Sequence, residues 1–102
     1  MANLGTEINA IIVNQGFNYH EFDSTGLYST PTGLRFMARF EKNANGIGRR
    51  IIDVNVDRKD NNTYDIKFGG GMSAPDTVAK SVAEADLAAT LTAILRKEKS
   101  RA

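Results

Sequence analysis

The sequence predicts an α+β fold in two layers: an antiparallel β-meander of three to four strands, with an N-terminal and a C-terminal helix packed on one face. Three observations carry this. Three successive runs alternate apolar and polar residues with period two, which is the pattern of strands half buried on one face. Two flanking segments carry apolar residues at i, i+4, i+7 and i+8, one face of a helix. The 102 residues contain no repeat, composition shift or low-complexity linker, so residues 1–102 read as one domain.

The first helix is expected from about Gly5 to Gln15. Leu4, Ile8, Ile11 and Ile12 share a face, Asn3 or Thr6 can cap the start, and Gly16 supplies a left-handed terminator. Phe17–Asp23, rich in aromatics, is expected as a short edge strand, followed by a loop over Ser24–Gly33 with a turn at Thr30-Pro31-Thr32-Gly33.

The central strands fix their own register. Leu34, Phe36, Ala38 and Phe40 alternate with Arg35, Met37, Arg39 and Glu41; Ile52, Val54 and Val56 alternate with Asp53, Asn55 and Asp57; Tyr64, Ile66 and Phe68 alternate with Thr63, Asp65 and Lys67. A slip of one residue turns every side chain to the wrong face. A two-residue Asn45-Gly46 turn would bury Asn55 against Phe36. A three-residue loop Ala44-Asn45-Gly46 instead pairs Ala38 with Ile52, Phe36 with Val54 and Leu34 with Val56, and places glycine at the left-handed position of a bulged turn. By the same reasoning a loop Lys59-Asp60-Asn61, with Asn61 left-handed, pairs Val56 with Tyr64, Val54 with Ile66 and Ile52 with Phe68. The core then holds Phe36, Phe40, Val54, Ile66 and Phe68. On the opposite face Asp53 lies across from Lys67 and Asp57 across from Thr63, with Arg35 and Arg39 flanking the two acids and Met37 the only large apolar group.

After Gly69-Gly70-Gly71, Ser81-Val82-Ala83-Glu84 fits a capping box, and Leu87, Leu91, Ile94 and Leu95 continue as a helical stripe. The second helix is therefore expected from Ser81, with a loop or turn before it; a start at Ser73, with Pro75 and Asp76 in the first turn, is the alternative. The basic stretch 96–102 is expected to fray into solvent.

Composition narrows the function classes. There is no cysteine, which removes disulfides, thiolate metal sites and a cysteine nucleophile. No apolar run approaches the roughly 20 residues of a membrane span, and the N-terminus lacks a secretory pattern; a soluble, cytoplasmic protein is expected. Thirteen basic residues balance twelve acidic ones, unlike the clearly basic domain of a dedicated nucleic-acid binder. His20, the single histidine, sits in Tyr-His-Glu-Phe-Asp, where Glu21 and Asp23 have the opposite strand parity and point away from it. The glycine triplet lacks the lysine and hydroxyl residue of a phosphate loop and is read as a flexible link. Asp53 with Asp57, and Asp60 beside Asp65, lie on an open face among cations and are read as salt-bridged surface. No catalytic residue, cofactor site or metal site is assigned.

The helix–strands–helix order is also that of the double-stranded-RNA-binding module, which opens its last helix on a lysine cluster. Here Ala74, Pro75 and Asp76 occupy that place with only Lys80 basic, so the chain is not assigned to it.

The expectation is a non-catalytic interaction module, an accessory or inhibitor protein that binds a protein partner or self-associates as a homodimer. The partner-binding candidates are Tyr19, Phe22, Leu27, Tyr28 and Pro31, on the expected edge strand and the loop after it. The alternative is a nucleic-acid-binding protein using Arg35, Arg39, Lys42, Arg49, Arg50 and Lys67; against it, the register turns the sheet aromatics inward, where they cannot stack on bases.

Overall fold

A computed structural model of the chain describes residues 4–41, 49–59, 62–69 and 76–100. The elements run α1 (Leu4–Asn14), β1 (Thr25–Ser29), β2 (Gly33–Glu41), β3 (Arg49–Arg58), β4 (Thr63–Gly69), β5 (Asp76–Ala83) and α2 (Leu87–Ser100). The strands form one five-stranded antiparallel sheet in chain order, β1-β2-β3-β4-β5, so the meander has five strands where three to four were expected. The α+β class holds, and the helices share one core with the inner face of the sheet.

In α1 the predicted stripe is the buried one: Ile8 and Ile12 are sealed, and Leu4 and Ile11 pack beside them. The helix ends as its sequence predicts. Gly16 is left-handed (φ 95°), its N–H bonds to Val13 O at 2.9 Å, and the Phe17 N–H reaches Ile12 O at 2.9 Å. These are the two bonds of a Schellman cap, and Phe17 packs into the core as the apolar residue that accompanies such a cap.

The expected edge strand at Phe17–Asp23 does not form. Tyr19–Phe22 is a short 3₁₀ turn, started by the Asn18 side chain accepting the His20 N–H at 3.0 Å and ended by left-handed Asp23. Its aromatics form a plug. Phe17 stacks on Phe22 with centroids 5.9 Å apart, and Tyr19 meets Phe36 edge-on at 5.2 Å. Three rings close together satisfy one another better inside than along an edge with imperfect alternation. The edge strand instead comes from the expected loop, as β1. The predicted turn at Thr30–Gly33 is the β1–β2 hairpin, closed by Thr30 N–H to Gly33 O at 2.9 Å and Gly33 N–H to Thr30 O at 3.3 Å.

The β2–β3 register is the predicted one, with Ala38 opposite Ile52, Phe36 opposite Val54 and Leu34 opposite Val56; the loop proposed for it, Ala44–Gly46, lies outside the described residues. The β3–β4 register differs from expectation by two residues. Val56 faces Ile66, Val54 faces Phe68, and Arg58 faces Tyr64. Asn62 is left-handed (φ 59°), and Lys59 N–H closes on Thr63 O at 2.7 Å; Asn61, expected at the left-handed position, lies outside the described residues. A slip of two preserves parity, so the buried face survives: Phe36, Val54, Val56, Tyr64 and Ile66 are fully enclosed and Phe40 nearly so. Phe68 is only partly buried. On the outer face Met37 is not the only large apolar group, because Ile51 is 46% exposed there.

The Ser81 capping box is also overturned. Asp76–Ala83 is a strand, and Ser81 lies in a break of the β4–β5 register with φ 53°. Its N–H is claimed by Asp65 Oδ1 at 3.0 Å, and Glu84 Oε1 accepts the Tyr64 hydroxyl at 3.0 Å. With both groups engaged elsewhere, the helix begins after a 3₁₀ turn over Glu84–Asp86. Its cap comes from the turn that follows α1: Gln15 Oε1 accepts the Ala88 N–H at 3.0 Å while Gln15 Nε2 donates to Glu84 O at 2.7 Å. Leu87, Leu91 and Leu95 are sealed against the core. The helix continues through Ser100, and Arg96 and Lys99 both reach back to residue 21.

Candidate functional site

β1 is one of the two edges of the sheet, and all five of its residues are exposed. Leu27 and Tyr28, 42% and 51% exposed, are among the few large apolar side chains open to solvent. No residue of the strand is charged. Gly26 is left-handed (φ 69°), and the β1–β2 pairing shifts between Thr25 and Tyr28, so one extra residue is accommodated there. Beyond the break Tyr28 pairs with Arg35.

A hollow flanks the strand on each face. On the outer face, a pocket of about 440 Å³ lies among Tyr28, Arg35, Met37 and Asp53. The Arg35 guanidinium carbon sits 5.7 Å from the Tyr28 ring centroid and its Nη2 donates to Asp53 Oδ2 at 2.8 Å, which holds the guanidinium in place and raises its pKa above the usual arginine value. On the helix face, a pocket of about 300 Å³ lies between Leu27 and Ser29 of β1 and Gly5, Thr6 and Asn9 of α1. Gly5 lets the helix approach this closely. A Cβ there would stand 2.6 Å from Ser29 Cα, and the Gly5 N–H donates to Ser29 Oγ at 3.0 Å.

Of the partner-binding candidates, Leu27, Tyr28 and Pro31 are exposed along the β1 hairpin. Phe22 is 1% exposed and belongs to the core, so it is not available to a partner. Tyr19 is half-buried, donates its hydroxyl to Asn9 Oδ1 at 2.6 Å, and has its pKa raised by burial, as suits a packing residue. Of the alternative cations, Arg35 is bound to Asp53, and Lys67 is paired with Asp57 at 3.3 Å. Arg39 is half-buried, and its Nε has no hydrogen-bond partner among the described residues. Arg49 and Arg50 begin β3 opposite Glu41 and Phe40, and Lys42 lies outside the described residues.

Of the paired carboxylates, Asp53, Asp57 and Asp65 are occupied, Asp53 by Arg35. Asp57 accepts Thr32 Oγ1 at 2.7 Å besides its lysine. Asp65, nearly buried, faces Asp57 across the strands and is bound by the Ser81 N–H and, at 3.5 Å, by Lys59 Nζ; its pKa is lowered, first by that N–H. Asp60 and the glycines at 70–71 lie outside the described residues. His20 is exposed, and neighbouring Glu21 is turned to Arg96 at 2.5 Å, lowering the Glu21 pKa. Among the described residues no three His, Cys, Asp or Glu side chains gather as a metal site would require, and no helix is long and apolar enough to cross a membrane.

Leu27, Tyr28 and Pro31 were expected in a loop, whereas Thr25–Ser29 of that loop is a strand. The available signal was weak: Leu27-Tyr28 has strand propensity, but a strand exposed throughout shows no alternation. The comparisons add no constraint: no protein-family model matches the chain, nor does any curated protein or solved structure.

Proposed function

We propose that the protein is a non-catalytic protein-interaction module of the cytoplasm, an accessory or inhibitor protein whose contact surface is the β1 edge. The observation that carries this is an uncharged edge strand, exposed at each of its five residues and bearing Leu27 and Tyr28, with a hollow on each face. Strand edges recognise extended partners by main-chain hydrogen bonds, and flanking pockets receive alternate side chains of the added strand. Leu27 and Tyr28 supply the anchors; large side chains of this kind carry a disproportionate share of interface energy. Nucleic-acid binding has less support, since Arg35 and Lys67 already have carboxylate partners.

The test compares proteins captured by the wild-type chain and by a Leu27→Lys, Tyr28→Ala double variant whose circular dichroism is unchanged. A protein partner held by the wild type and lost by the variant is the expected result. Equal capture by both, or capture of nucleic acid alone with a steep salt dependence, refutes the assignment.

A further inference from the structure

We propose that β1 pairs antiparallel with β1 of a second copy of the chain, about a twofold axis passing beside Tyr28, so that two sheets become one. This rests on the edge reading above and names its partner.

Thr30 and Gly33 exchange both hydrogen bonds across the hairpin. In an antiparallel ladder bonded and non-bonded pairs alternate, so Ser29–Leu34 is non-bonded and Tyr28–Arg35 is the next bonded pair. The N–H and C=O of Tyr28 therefore point at β2. In a planar trans peptide the C=O and N–H point in opposite directions, and no described peptide is cis. The Leu27 C=O and the Ser29 N–H consequently point away from the sheet. These two groups flank Tyr28 symmetrically. A twofold axis at Tyr28 sets the Ser29 N–H of each copy against the Leu27 C=O of the other, which is the bonding around a non-bonded antiparallel pair.

The side chains suit the same arrangement. The two Tyr28 residues become a directly opposed pair, the closer kind, in which aromatic rings stabilise one another on the outer face. Leu27 comes opposite Ser29, large against small. Thr25–Ser29 carries no charge, so the axis opposes no like charges, and neighbouring Arg35 is already bound by Asp53. The other edge of the sheet is protected. The β4–β5 pairing shifts register twice, Ser81 is left-handed and Lys80 is exposed, all of which disfavour strand addition. A five-residue strand covers less than the roughly 800 Å² per partner of stable complexes, so the pairing is expected only at high concentration.

The absence of cysteine makes the test clean. Sedimentation velocity of the full chain from about 5 μM to about 500 μM brackets the dissociation constants expected of so small an interface. Over that range the mass should rise from 11.1 kDa toward twice that value, and Leu27→Lys should remain at 11.1 kDa. Under mild oxidation Tyr28→Cys should become a disulfide-linked dimer, whereas Val78→Cys on β5 should not. A mass that stays flat, a Leu27→Lys chain that dimerises equally, or equal cross-linking of both cysteine variants overturns the self-pairing. A monomer that still captures another protein in a Leu27-dependent way removes only the self-pairing; a monomer with no such partner removes the edge reading too.

Discussion

Replacing Gly5 with alanine sets a local effect against a tertiary one, and the two have opposite signs. Alanine exceeds glycine in helix propensity by up to about 1 kcal/mol, less in a first turn. By that criterion alone the variant is neutral or stabilised. The structure says otherwise. The added Cβ would lie 2.6 Å from Ser29 Cα, 2.7 Å from Ser29 Cβ and 2.8 Å from Ser29 Oγ. Carbon atoms rest about 3.5–4 Å apart, so α1 must retreat from β1 by about 1 Å. Overpacking of this kind costs about 1–3 kcal/mol. Withdrawal also weakens the 3.0 Å bond from Gly5 N–H to Ser29 Oγ, a further loss of up to about 1 kcal/mol.

The net expectation is a destabilisation of about 1–3 kcal/mol, and each kilocalorie lowers Tm by about 4–8 °C in a domain of this size. Urea unfolding followed by circular dichroism measures it. Adding Ser29→Gly removes the Cβ and Oγ clashes but leaves the 2.6 Å approach to Cα, so it should recover only part of the loss. A Gly5→Ala chain at least as stable as the wild type would refute the close approach of α1 to β1.

Three further outcomes follow from named contacts. Gln15→Ala removes the side-chain cap at the start of α2 and should cost about 1 kcal/mol in urea unfolding, as loss of an N-cap does; Gln15→Glu, which keeps the acceptor for Ala88 N–H, should cost less. Tyr64→Phe deletes a buried hydroxyl that accepts from Arg58 Nη2 and donates to Glu84 Oε1, both at 3.0 Å, and should cost about 1–2 kcal/mol; a change within error would show that the partners repair themselves. Burial raises the pKa of both Tyr19 and Tyr64, so the unfolded chain releases these protons at lower pH than the folded one; stability should be intact below about pH 10 and fall above it, and Tyr64→Phe should lessen the fall.

The sequence made the inner face of the sheet legible because burial on one side writes period two into β2, β3 and β4. It made parity more legible than register. Val56 can oppose Tyr64 or Ile66 with the same face buried, and consecutive Asn61 and Asn62 are equally able to adopt the left-handed turn position, so apolar matching could not separate the two. The Ser81–Glu84 motif misled because both residues have partners distant in the chain: Asp65 for the Ser81 N–H and Tyr64 for the Glu84 carboxylate. Phe22 misled for the reverse reason. An aromatic near an expected edge is indistinguishable from a contact residue until Phe17 is seen stacked against it.

The two edges of the sheet pose the same physical problem and have different solutions, which leads to a final prediction. Asp65 is nearly buried, and its carboxylate holds Ser81 in a left-handed conformation that a non-glycine residue adopts at some cost. That contact maintains one of the two register breaks that keep β5 from offering a regular ladder. β1 has no comparable device beyond its shortness and the break near Gly26. Asp65→Ala should therefore do more than destabilise: with Ser81 released, β5 can straighten and become adhesive. In a Leu27→Lys background, which silences β1, light scattering should show association that Leu27→Lys alone lacks. Acid should act in the same direction, because the Asp65 pKa is lowered and the stabilisation it provides is lost as pH falls below the usual carboxylate range. If Asp65→Ala loses stability yet remains as dispersed as its parent, the carboxylate serves packing alone, and the contrast between a guarded and an open edge no longer supports β1 as the binding surface.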